Sequence, residues 1–219
     1  MNKLFLFGII FLASCTSEEE RGLEELKRLC EKDAGVKIYK TVEADGYYDG
    51  YTDCHHCWQN LIEGPYRYIE FCNDKQRNSL AWIFPDVGCS RVSKVDRASG
   101  QCHAAIDEKV TSRKWTKYIE FSENSCIAIE PIVSPEARYG YYEGLKFWSA
   151  NNGGSEFIRA HAFILDMSSG DYLSEYIYYK YNYNPGHTTS QSCWLLNSTF
   201  SVSIKSDFLW KTLITNKDK

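Results

Sequence analysis

Proline is scarce in this chain, five in 219 residues, and no apolar run is long enough to cross a bilayer. The longest, Leu4 to Leu12, is interrupted by Gly8 and falls well short of the roughly 20 residues a spanning helix needs. Neither a Gly-x-Ser-x-Gly elbow nor a His-Glu-x-x-His helix occurs, so the common serine-hydrolase and zinc-protease patterns are missing. No basic stripe is visible, which argues against nucleic acid as a partner. His161 and His187 stand isolated, and no pair of carboxylates is singled out by spacing. The expectation is a protein without a catalytic centre of its own. With 16 Tyr, 11 Phe and 6 Trp, the chain reads as a packed, strand-rich body and not as a disordered stalk.

The N-terminus is the most informative stretch. Lys3 precedes the apolar run, which is the length of a signal-peptide core and ends on small residues. Leu12-Ala13-Ser14-Cys15 resembles the bacterial lipobox. That resemblance implies a signal peptide over residues 1–14, acylation of Cys15 (palmitate included), and a tether over residues 15–21. Thr16, a non-Asp residue after the cysteine, implies the outer membrane over the inner. The partner so implied is the membrane itself, through several acyl chains at ~0.8 kcal/mol per buried CH₂. Removal of residues 1–14 takes one lysine away, leaving 24 Lys+Arg against 29 Asp+Glu, a net charge of −5.

Eight cysteines remain after Cys15: Cys30, Cys54, Cys57, Cys72, Cys89, Cys102, Cys126 and Cys193. An even number in an exported chain reads as four disulfides, with roughly a hundred connectivities open. Cys54-His55-His56-Cys57 offers two competing chemistries. A thiol-redox pair wants a helix N-terminus after a buried strand, whereas a polar Tyr/Gly/Asp loop is expected before Cys54. A zinc site wants a second closely spaced pair, and only Cys102-His103 is on offer. Structural half-cystines are therefore favoured, with no metal and no cofactor. A c-type haem attachment is excluded because Trp58, not His, follows Cys57.

Along the chain, Glu18 to Asp33 has the period of an amphipathic helix, with Leu23, Leu26, Leu29 and Cys30 on one face, Glu24 four residues before Arg28, and Gly35 as its stop. Val36 to Val42 alternates as a strand, and Gly46 to Tyr51 reads as a loop. Tyr66 to Phe71 and Thr116 to Phe121 share Tyr-Ile-Glu-Phe at an offset of 50 residues and read as strands, either by internal duplication or by chance in a Tyr-rich chain. Further strands are expected at Ser79 to Phe84, Gln101 to Val110, Ser125 to Ile132, Gly140 to Trp148, Phe200 to Ile204 and Phe208 to Ile214. Glu156 to Leu165 and Tyr172 to Tyr183 form the clearest hairpin, across Ser168-Ser169-Gly170-Asp171. The expected fold is α+β: one N-terminal amphipathic helix on a largely antiparallel sheet, stapled by disulfides, as a single domain over 22–215. The duplication would bracket each Tyr-Ile-Glu-Phe copy equivalently, pairing Cys102 with Cys126, Cys72 with Cys54 or Cys57, and Cys89 with the other of those two.

Leu29-Cys30-Glu31-Lys32-Asp33-Ala34-Gly35-Val36-Lys37-Ile38-Tyr39-Lys40-Thr41-Val42 resembles the LCxKDGGxKVYETV opening of a group of small, uncharacterised proteobacterial lipoproteins. The hairpin, Pro185-Gly186 and Ser190-Gln191-Ser192-Cys193 resemble their C-terminal portion. Ala34 stands where that pattern has a glycine, and Asn182-Tyr183-Asn184 replaces its Gly-Gly-Asp. The resemblance covers only the two ends. It implies a compartment and, because Cys30 and Cys193 are the cysteines kept in those ends, a Cys30–Cys193 bridge. It implies no activity. Two functions stand as expectations. One is a non-enzymatic envelope module contacting another envelope protein or a saccharide, its Tyr clusters (Tyr47-Tyr48, Tyr141-Tyr142, Tyr176 to Tyr183) either a binding surface or cross-strand packing. The other is a thiol-disulfide or metal-handling protein using Cys54 and Cys57.

Overall fold

The computed structural model describes residues 17–50, 57–73, 88–150, 154–184, 189–193 and 204–215. Helix α1 (Glu18–Asp33) starts from Ser17, whose hydroxyl accepts the Glu20 amide at 3.2 Å while the Glu20 carboxylate accepts the Ser17 amide at 2.9 Å. This capping box, with three glutamates at the positive end of the dipole, fixes the first turn. Arg28 pairs with Glu25, three residues back, and not with Glu24. The helix ends at Asp33 with Ala34 already extended, so Gly35 is not its stop. At φ +132° Gly35 opens β1 (Gly35–Ile38), in a conformation that L side chains rarely adopt.

The expected strand from Val36 to Val42 is split. The Tyr39 and Lys40 amides both donate to the Leu173 carbonyl, and the chain leaves to form β2 (Val42–Glu43). Next comes β3 (Gly46–Asp49), where a loop was expected, followed by α2 (Cys57–Glu63) and β4 (Tyr68–Asn73). Strand β5 (Gly88–Asp96) and a 3₁₀ turn at Arg97–Ser99 lead to α3 (Ala104–Thr111) and α4 (Thr116–Asn124). The long strands are β6 (Ser125–Ile132), β7 (Tyr139–Ser149), β8 (Glu156–Asp166) and β9 (Tyr172–Asn184), followed by β10 (Thr189–Ser192), α5 (Ile204–Thr212) and β11 (Leu213–Ile214). The class is α+β as expected, but with five α-helices among the described residues where one was foreseen. Gln101 to Val110 and Phe208 to Ile214 are mostly helix and not strand. The strands expected at Ser79 to Phe84 and Phe200 to Ile204 lie outside the described residues.

The second Tyr-Ile-Glu-Phe is helical, so the two copies are not equivalent strands. In β4, Ile69 and Phe71 point inward two residues apart. In α4, Tyr118 is buried and Phe121, one helical turn on, is half-buried, while Ile119 is exposed. The tetrapeptide satisfies both periods, and its neighbours decide.

The main sheet runs β1-β9-β8-β7-β3-β4-β5-β6, with β10 also on β9. All its pairings are antiparallel except β3 with β4 and β3 with β7, the former reached through the α2 crossover. Strands β2 and β11 form a separate parallel pair. One face of the main sheet meets α2 to α5: Tyr47, Ile69, Phe71, Val92, Ile127, Tyr141 and Ile164 pack with Trp58, Leu61, Ile106, Val110, Tyr118 and Phe208. On the opposite face, Leu26 of α1 packs into a smaller cluster with Phe157, Ile177, Tyr179, Tyr181 and Cys193. Gly22 lies directly against the Tyr181 ring, and the Tyr179 and Tyr181 hydroxyls donate to Asp33 and to the Glu18 carbonyl. Toward β5, that same face carries Glu70 and Arg91 under the loop at 133–138. Fully buried Glu70 accepts the Glu136 and Ala137 amides at 2.7 and 2.8 Å and the Arg91 guanidinium.

Three disulfides are described: Cys30–Cys193, Cys72–Cys89 and Cys102–Cys126. The first and third are the pairs expected. The second corrects the expectation for Cys72 and Cys89, which sit opposite one another on β4 and β5. The Cys102–Cys126 bond brackets the α3–α4 helices and no strand copy. Cys57 is disulfide-bonded as well.

Candidate functional site

Among the described residues, the sites singled out in the sequence do not converge. No cluster of three or more His, Cys, Asp or Glu could hold a metal there. Cys15, Cys54, His55, His56 and His187 lie outside the described residues. Cys57 is buried at the start of α2, and β3 ahead of it is a buried strand. A buried strand and a helix therefore stand on either side of residues 51–56, because Gly46, read as a loop signal, opens a strand. A Cβ at Gly46 would lie 2.4 Å from the Tyr68 carbonyl and 2.7 Å from its ring.

The tyrosine clusters resolve by strand alternation. Tyr47 and Tyr141 enter the core, where burial first, then the carboxylates Asp49 and Glu143 respectively, push their phenols well above the ordinary range. Tyr176 and Tyr178 stack on the helix-covered side, while Tyr179 and Tyr181 pack in the cluster with Leu26. For these the cross-strand packing reading holds. Tyr48 and Tyr142, however, emerge on the face opposite the main core, in the stretch between α1 and the 133–138 loop.

There they join a row of rings: Tyr48 to Tyr142 at 5.9 Å, Tyr142 to Phe163 at 5.5 Å and nearly parallel, Phe163 to Tyr172 at 5.2 Å, and Phe163 to His161 at 5.3 Å. Cβ atoms built at Gly50 and Gly140 would fall 2.5 and 2.7 Å from the Tyr142 ring, so that ring lies down over two glycines. Gly144, two residues on and paired with His161, has nothing within 4 Å of a Cβ position and leaves an open notch.

Beside the rings, Glu175 receives the Tyr39 hydroxyl, the Lys37 ammonium at 3.2 Å and His161 Nε2 at 3.0 Å. The Tyr39 hydrogen bond, with those from Lys37 and His161, holds its carboxyl below the usual range, and the same bond raises the Tyr39 phenol. His161 is thus no isolated strand residue, and its partner comes from the next strand. Only hairpin register, which the sequence did not supply residue by residue, brings Gly144, His161 and Glu175 together.

No family model, no curated protein and no solved structure matches the chain.

Proposed function

We propose that this is a lipid-anchored module of the bacterial envelope whose work is binding and not catalysis. Cys15 carries the lipid, the tether expected over residues 15–21 is shortened to the chain ahead of α1, which begins at Glu18, and the outer membrane is the location. The observation that carries this reading is the state of the cysteines. All seven in the described residues are disulfide-bonded, the condition of a chain matured in an oxidising compartment. The lipobox-like N-terminus and the likeness of both chain ends to small lipoproteins support it independently. In expressing cells, wild-type protein should fractionate with membranes and take up acyl label, and Cys15→Ser should do neither. Unchanged fractionation of the variant overturns the anchor.

A second reading, thiol-disulfide exchange at Cys54 and Cys57, gains support from the buried Cys57 at the start of α2 behind β3. It requires a pair more reducible than the three bridges described above. Graded dithiothreitol titration with alkylation and mass spectrometry decides: simultaneous reduction of all bonds removes this reading.

A further inference from the structure

The row of rings, the Gly144 notch and the charges beside them form a site that neither the anchor nor the disulfides explain. On this face the described residues of β1, β7, β8 and β9 bring Lys37, Lys146 and Arg159 against one carboxylate, Glu175, on a chain whose mature net charge is −5. Lys37 is spent on Glu175, and Arg159 hydrogen-bonds the Tyr179 hydroxyl, itself a donor to Asp33 of α1; Lys146 is exposed, and it faces Arg159 across the strands beyond the notch from Tyr142 and Phe163. A ring lying on the sheet turns its π-face outward, where it takes up C–H surface or a planar group. Tyr39 and Tyr172, 58% and 51% exposed, set hydroxyls at the rim.

We infer that this face binds an acidic oligosaccharide: a sugar ring lies on Tyr142 and Phe163, its edge enters the notch over Gly144, and its carboxylate meets Lys146 and Arg159. His161 and the hydroxyl of Tyr39, both held by Glu175, are placed for the sugar hydroxyls. The charge complementarity is local. Two cations at one notch suit a single carboxylate per sugar, whereas a nucleic-acid strand needs a continuous basic track, which the acidic remainder of the chain denies it. The proposal deepens the reading of a binding module and rests on it. The fractionation of Cys15→Ser remains a separate test, since loss of glycan binding leaves the anchor untouched.

Full-length protein in detergent is titrated calorimetrically with hexamers of galacturonic, mannuronic and guluronic acid, with neutral galactohexaose, and with a ten-residue oligothymidylate. At least one uronic hexamer should bind, at least about tenfold tighter than the neutral one, and the gap should narrow with salt. Tyr142→Ala and Phe163→Ala should each weaken binding about tenfold, and Lys146→Ala about threefold. Gly144→Val guards against misfolding: its Cβ enters open space and valine suits a strand, so melting stays unchanged while binding falls at least about tenfold. Equal affinity for the neutral sugar, preference for the oligothymidylate, failure of all three uronic hexamers, or full binding by folded Gly144→Val each overturns the proposal.

Discussion

Glu70→Gln is the substitution the fold should tolerate least. The side chain is fully buried, and its two oxygens take four donors: the Glu136 and Ala137 amides on one, Nε and Nη2 of Arg91 on the other. Glutamine preserves the shape but turns one oxygen into an amide that donates. If that amide faces the loop, two backbone N–H groups meet a donor; if it faces β5, the guanidinium does. Arg91 keeps Glu130 and Glu136 at the rim, both exposed, so its buried counter-charge is not replaced. Two orphaned donors at ~1–3 kcal/mol each, backbone amides in one arrangement and guanidinium N–H groups in the other, beside a cation that loses its buried counter-charge in both, give ~3–5 kcal/mol. For a domain of this size that lowers Tm by on the order of 10 °C. Thermal melts of oxidised protein read the loss, and hydrogen exchange locates it: the Glu136 and Ala137 amides should exchange faster while Val92 stays protected. A drop below about 3 °C with those two amides still protected would refute the reasoning.

Three further outcomes follow from separate features. Replacing Cys30 and Cys193 together by alanine opens a link across 163 residues and should cost up to ~5 kcal/mol in guanidinium unfolding; a loss under ~1 kcal/mol means that β1 and β10 hold without it. Gly46→Ala should lower stability by ~1–3 kcal/mol because the Tyr68 backbone blocks its Cβ, whereas Gly144→Ala, facing open space, should be neutral or gain up to ~1 kcal/mol; equal effects would contradict the contacts described. Glu175 has a depressed folded-state pKa, so its contribution is full above the carboxylate's ordinary 4.5 and disappears as pH falls through the lower folded value. Glu175→Gln should therefore unfold less steeply with acid than wild type in that window, and parallel acid profiles would show that the Tyr39–Lys37–His161 contacts add nothing.

Much of the architecture was legible where one signal acted alone. The acidic first turn and the leucine stripe mark α1, and the turn before Asp171 marks the β8–β9 hairpin. Legibility failed where two signals competed. Glycines at 46 and 50 look like a loop, yet they are there because aromatic rings from neighbouring strands occupy the space of a side chain. Cys57, Trp58, Leu61 and Ile62 have helical spacing, but the cysteine pair draws the eye to metal and redox chemistry. Strand β5 buries only Ser90 and Val92, so it shows no apolar run although it lies between β4 and β6. The candidate site was half readable: tyrosine pairs on strands must split across a sheet, but which half stays open depends on where the helices settle. Residues 157–163 give no hint that His161 meets Glu175 across the hairpin.

The outer edge of β9 is finished by two pieces of chain laid end to end. β1 covers residues 174–177 and β10 covers 180–184, both running the same way, with Cys30–Cys193 beside the join. The pieces come from opposite ends of the sequence, so the bond acts mechanically as a splice. Tension applied ahead of α1 reaches Cys30 before it reaches β1, and the disulfide divides it between β1 and β10. Both segments then resist in shear along β9, where several hydrogen bonds must break at once, and not by peeling one at a time. A pull on the first helix would thereby be gripped by β9, the longest of the described strands.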